Sequence, residues 1–238
     1  MSDFFSRSEV LLGEKAMKAL QDARVLLFGV GGVGSWCAEA LIRTGLQHLT
    51  IVDGDVVQES NINRQLPATR ETIGQPKVEA LKARLLTINP EAEIEAINAM
   101  YRPTLTPSLK GEALSEYDYV IDAIDDVAAK TDLILNCTRT RGVKIFSSMG
   151  AALRFDPTQV TTGELMSIQG DALAKAVRAR MKRLGQKPYR KVKCVYSTEQ
   201  AQKCEARGSL MQVTAVFGCT LASFVIDDIR KGVQKNAE

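Results

Sequence analysis

The sequence predicts an α/β fold, a mainly parallel sheet with helices on both faces and an antiparallel extension. Three observations carry the prediction. From Arg24 to Gly150, short apolar runs alternate with longer segments of helical character, an order that builds parallel strands joined by right-handed crossovers. A glycine-rich turn, GVGGVG, links the first apolar run to the first helical segment. After Gly150 the rhythm changes and the runs become short and paired.

Taken in order, RVLLFGV, HLTIVD, EIEAIN, YDYVID and VKIFSSMG read as strands. Helices are expected at Ser35–Thr44, Pro76–Ile88 and Val127–Arg141. Pro76 suits a first helical turn, where a missing N–H costs little. ALRFDPTQVTTGEL reads as two short strands around Asp156-Pro157, continuing the sheet antiparallel. A basic helix from Asp171 to Leu184, a loop from Gly185 to Pro188, a strand KCVYS and an apolar terminal helix complete the chain. With no repeat or low-complexity linker, residues 1–238 read as one domain, a core over 1–165 and an extension over 166–238.

Composition sets the outer bounds. The 238 residues are 45% hydrophobic and 25% charged, ordinary values for a globular chain. Met1 to Val10 lacks a basic-then-apolar signal pattern, so a cytoplasmic location is expected. Leu210 to Ile226 is interrupted by Gln212, Thr214, Thr220 and Ser223. It falls short of a spanning segment. A buried helix is the expectation, with peripheral contact at the inner membrane as the lesser alternative. The cysteines, Cys37, Cys137, Cys194, Cys204 and Cys219, form no C-x-x-C pair, which argues against a disulfide framework and against zinc. Cys37 and Cys137 have apolar neighbours and read as core. His48, the one histidine, receives no catalytic role.

Charge is segregated. Between Ala172 and Thr198 stand nine basic residues and no acidic one. Without them the chain holds 22 basic against 28 acidic residues, a net of −6. Lys175, Arg178, Lys182, Arg183, Arg190, Lys191 and Lys193 therefore make a basic surface on an acidic body, suited to a phosphate backbone.

The chemistry-bearing residues lie elsewhere. Gly29, Gly31, Gly32 and Gly34 follow a strand and open a helix, which lets backbone approach a phosphate at the helix N-terminus. Asp53 ends the next strand, where a carboxylate can hold ribose hydroxyls. The context makes the fold Rossmann-like and the ligand an adenine nucleotide. A dehydrogenase has little use for further cations here. Yet SNINRQ supplies Asn61, Arg64 and Gln65, Lys77 opens the next helix, and Asp122, Asp125 and Asp126 follow the fourth strand. Cations that neutralise charge on phosphorus, with a carboxylate for magnesium, fit triphosphate cleavage better than hydride transfer.

GVGGVG, VDGD with Asp53 and Asp55, SNINRQ, GQPKVEA, INP and VIDAIDD, within a match that covers about Phe4 to Thr162, resemble the ubiquitin-activating-enzyme superfamily of adenylating enzymes. The resemblance implies ATP and Mg²⁺. Gly31 and Gly32 would line the phosphates and Asp53 the ribose. Asn61, Arg64 and Lys77 would meet the triphosphate, and Asp125 the metal. It also implies a homodimer in which Arg7, in FSRSEVLLG, enters the partner's site. LLGEKAMKAL, GVGSWCAEAL and CVYSTE are similar to the branch that dehydrates threonylcarbamoyladenosine in tRNA. That implies a tRNA substrate met by the basic extension, with a shortened segment between Thr198 and Ser209.

Cys194, in the basic stretch KVKCVYSTE, has two readings: a nucleophile with a lowered pKa, or a half-buried strand residue, which is favoured. Two alternatives to the whole reading stand beside it: adenylation of the C-terminal glycine of a ubiquitin-like sulphur carrier, and a nicotinamide-dependent oxidoreductase. Neither a monovalent cation nor a sulphur-transfer or redox partner protein is fixed by the residues.

Overall fold

The structure, a computed structural model, describes residues 3–101, 114–206 and 208–235. Its strands are β1 (Arg24–Phe28), β2 (His48–Val52), β3 (Glu93–Ile97), β4 (Tyr119–Asp122), β5 (Lys144–Ser148), β6 (Val160–Glu164) and β7 (Lys193–Ser197). Its α-helices are α1 (Ser6–Leu12), α2 (Glu14–Asp22), α3 (Gly34–Thr44), α4 (Lys77–Ile88), α5 (Val127–Arg139), α6 (Ala172–Arg183) and α7 (Met211–Lys235).

The sheet runs β3-β2-β1-β4-β5-β7-β6. All neighbours are parallel except β6 and β7. The chain leaves β1 in one direction for β2 and β3 and returns to place β4 on the other side. That reversal opens a crevice at the carboxyl ends of β1 and β4. Strands buried on both faces need continuous apolar runs, and β1, β2 and β5 are buried at every position after the first.

Alternate residues divide between two cores. Val25, Leu27, Leu49 and Ile51 pack under Cys37 and Leu41 of α3, Leu81 and Leu85 of α4, and Phe217 and Leu221 of α7. Leu26, Phe28 and Val120 face Leu133 and Cys137 of α5 and Val177 and Met181 of α6. Burial pushes the thiols of Cys37 and Cys137 upward, as expected of core cysteines. α7 is long and apolar enough to cross a membrane, but 50% of its apolar window is buried inside the fold.

Two expectations are corrected. ALRF is not a strand; only Val160–Glu164 of that segment joins the sheet. Leu153 has φ 62°, a left-handed conformation that breaks extended pairing. The second correction concerns KCVYS: β7 inserts between β5 and β6, parallel to β5, so the antiparallel extension begins one strand later than the chain order suggests. Asp156 does mark a turn, accepting from the Thr158 N–H at 2.8 Å.

Candidate functional site

At the crevice the chain must turn from β1 into α3 within a few residues. Gly29 has φ 83°, and a Cβ there would stand 2.8 Å from the Ala123 carbonyl oxygen. A Cβ at Gly34 would overlap the Gly29 carbonyl oxygen. Both positions therefore need glycine. The N–H groups of residues 31–34 make no backbone hydrogen bond among the described residues, which leaves an open cradle at the N-terminus of an 11-residue helix.

One wall of the crevice is the loop from Asp53 to Lys77. The Asp53 carboxylate accepts from the N–H groups of Val30 (2.8 Å) and Asp55 (2.9 Å). It thus fastens the end of β2 to the cradle, and its remaining lone pairs are what it can offer a ribose. Lys77, 6% exposed, donates from Nζ to Asp55 at 2.7 Å. Asp55 keeps half its side chain in solvent, so the pair can open toward a phosphate.

Arg64 donates from Nη1 to the Ser60 carbonyl and to Asn63 Oδ1. Its stem lies beside Gly32, where an added Cβ would sit 3.3 Å away. Asn61 is buried and accepts from the Gln58 N–H, closing the turn that carries Arg64. Gln65, 8% exposed, flanks Gly31. Its Oε1 is buried without a partner, an acceptor left unused beside the cradle.

The other wall follows β4. Asp125 is exposed and has no side-chain partner among the described residues, whereas Asp126 caps α5 by accepting from the Ala129 N–H at 2.7 Å. Asp122 departs from the grouping of three ligand carboxylates. It is fully buried, paired with Lys130 at 2.7 Å and held by Ser147 Oγ at 2.6 Å. Among the described residues no three metal-ligating side chains converge. The donor set nevertheless fits Mg²⁺, which takes one or two carboxylates and fills its shell with water and phosphate oxygens.

Sequence reasoning missed residues that support this site. Lys130 interrupts the apolar stretch of α5, and a lone lysine on a sheet-facing stripe was the available signal. The Trp36 indole N–H donates to the Arg64 carbonyl at 3.0 Å. Thr214 of α7 backs Gly32, and Asn63 Nδ2 donates to the Ser209 carbonyl.

The structure brings the other predicted residues to different places. Arg7 is exposed on α1, beside Val10 and Leu11, which are 87% and 84% exposed. Cys194 is wholly buried; burial pushes its thiol up, and Sγ contacts the Val192 carbonyl. That is the setting of a core thiol, not of a nucleophile.

The basic residues are not equivalent. Arg178 donates to the Leu165 carbonyl, and Arg190 caps α5 through the carbonyls of Cys137, Thr138 and Thr140. Lys193 lies 3.9 Å from the Phe224 ring centroid. Lys175, Lys182, Arg183 and Lys191 are exposed and pair with no acid among the described residues. α6 starts at the carboxyl edge of the sheet, where Gly150 donates to Asp171, and descends about 18 Å toward the other edge.

Comparison with known proteins accords with this arrangement. Residues 5–236 match the model of the ThiF family. The tRNA threonylcarbamoyladenosine dehydratase of Bacillus subtilis is 40% identical over 195 residues, 82% of this chain and 74% of that one. A solved structure of the Escherichia coli tRNA N6-threonylcarbamoyladenosine dehydratase with ATP has a TM-score of 0.90 at 34% identity, covering 98% of this chain and 96% of that one. The Escherichia coli molybdopterin-synthase adenylyltransferase is 36% identical over 139 residues, 58% of this chain and 53% of its own. An oxidoreductase reading gains no support from these relatives. A glycine cradle, a lysine wall and a free carboxylate stand where the fold reverses, and the match runs nearly end to end: the chain belongs to the ThiF family.

Proposed function

We propose that this protein adenylates the carboxylate of threonylcarbamoyladenosine in tRNA and then cyclises it. The observation that carries the proposal is the open cradle at residues 31–34 set between Lys77 and Asp125. The two relatives named for this dehydration, matched over most of the chain, supply the substrate.

A carboxylate is ionised at neutral pH and needs no general base. Its oxygen attacks the α-phosphorus of ATP, forming an acyl-adenylate and expelling pyrophosphate. The cradle amides hold the phosphates, while Arg64 and Lys77 balance the charge that builds on them. Mg²⁺, held by Asp125 with phosphate oxygens and water, would neutralise further charge. An atom of the substrate's own urea group then attacks the acyl carbon and AMP leaves, for a net loss of one water. The attack is intramolecular, so positioning suffices and no enzyme nucleophile is required. The buried state of Cys194 accords with that route.

Residues 1–165 serve in this reading as nucleotide core and 166–238 as the tRNA-facing extension. Lys175, Lys182, Arg183 and Lys191 give it a stripe of exposed positive charge. The protein works in the cytoplasm, where its tRNA is. The apolar surface of Val10 and Leu11 suits a second copy, so we assign a homodimer in which Arg7 reaches the partner's crevice.

Mass spectrometry of nucleosides from modified tRNA tests the reading. ATP-dependent loss of one water supports it. An unchanged nucleoside, with AMP released only on adding a ubiquitin-like carrier, would move the substrate to a protein tail.

A further inference from the structure

Beneath the Asp125 loop lies a polar knot that the reaction itself does not use. Lys130 and Asp122 are both 0% exposed. Lys130 Nζ donates to Asp122 Oδ2 at 2.7 Å, to the Ser148 carbonyl at 2.9 Å and to Ser147 Oγ at 3.3 Å. Asp122 accepts in addition from Ser147 Oγ at 2.6 Å and, through Oδ1, from the Ile124 N–H at 3.1 Å. Every proton of the ammonium is used, and three elements are tied together: the end of β4, the first turn of α5 and the end of β5.

A buried ion pair is a poor device for stability, because apolar side chains of similar volume often serve as well or better. Its place suggests another use. The residues it spans include Ala123, whose carbonyl oxygen would meet a Cβ on Gly29 and whose own Cβ would crowd one on Gly34, and then Asp125. The knot therefore sets how the carboxylate loop sits against the glycine cradle.

We infer that Lys130 is a positioning residue, which through Asp122 and the end of β5 fixes Asp125 at the distance from the cradle where a nucleotide-bound Mg²⁺ must sit. The inference rests on the nucleotide reading above, and it concerns Mg²⁺–ATP before any tRNA binds.

The test replaces both charges, Asp122→Leu with Lys130→Met, so that neither is left buried alone. Calorimetry without tRNA measures ATP binding with and without Mg²⁺, and hydrogen exchange reads the Ile124 amide in the free protein. Binding of metal-free ATP should stay within threefold of the parent. The gain in affinity on adding Mg²⁺ should fall at least tenfold, and the Ile124 amide should exchange at least tenfold faster. Ser147→Ala, which removes two bonds of the knot and keeps both charges, should show the same pattern at about threefold.

A Mg²⁺ gain equal to the parent's in either variant, in folded protein, overturns the inference. Equal loss of ATP binding with and without the metal also overturns it, by making the knot a general support of the cradle. Failure of the tRNA reading would appear separately, as absence of dehydrated nucleoside from the parent enzyme with Mg²⁺–ATP binding intact.

Discussion

The loops on either side of the glycine cradle each hold a lysine against an aspartate at 2.7 Å, yet they work in opposite ways. After β2, Lys77 meets an Asp55 that is half in solvent. After β4, Lys130 meets an Asp122 with no exposure at all. When the first pair parts, its aspartate is left in water and the buried lysine can take a phosphate in its place. The second cannot part without leaving a charge in a dry interior, so its lysine is committed to the scaffold. Distance alone would rank the pairs as equals; the surroundings of the acid decide which lysine is free to meet a ligand.

The comparison can be broken by experiment. Lys130→Ala leaves Asp122 buried and unpaired, and should cost about 3–5 kcal/mol in thermal or denaturant unfolding. Lys77→Ala should cost about 1 kcal/mol or less, because its partner falls back on water. The same Lys77 variant should slow AMP formation by about 10²-fold or more, in line with loss of one charge-stabilising group. Equal stability losses in the two variants would erase the distinction. Asp125→Ala, from the free part of the second loop, should leave the unfolding midpoint unchanged while AMP formation falls as steeply.

Smaller effects sharpen the same contrast on the basic extension. Arg190→Ala removes the cap of α5 and should lower stability by about 1–2 kcal/mol with little change in the salt dependence of tRNA binding. Lys191→Ala should do the reverse, leaving stability intact and reducing the slope of log affinity against log salt by about 1. At the small end, a thiol reagent added to native protein should label exposed Cys204 and spare Cys194, as read by peptide mass spectrometry.

Much of this was legible in residues. Apolar runs buried on both faces announce parallel strands, and a glycine turn between strand and helix announces the cradle. Asn61, Arg64 and Lys77 could be picked out as candidates because a cluster of polar residues after a strand breaks the apolar pattern. The failures have physical causes. ALRF has the composition of a strand, but composition does not reveal that Leu153 turns left-handed, with its N–H on Gly208 and its carbonyl on Gln202. A carboxylate in VIDAIDD looks the same whether it meets solvent or Lys130, because that choice depends on residues from three elements. Arg190 counted as surface charge, since a helix end offering three carbonyls 50 to 53 residues away in the chain is invisible along it.

The packing of α7 sets an order of events in synthesis. A Cβ at Gly218 would overlap the Val33 carbonyl and crowd Trp36, and Thr214 stands behind Gly32, so this helix is the back of the phosphate cradle. The glycines leave the ribosome some 180 residues before that support exists. A nascent chain therefore has its glycine motif long before it has the helix that backs it.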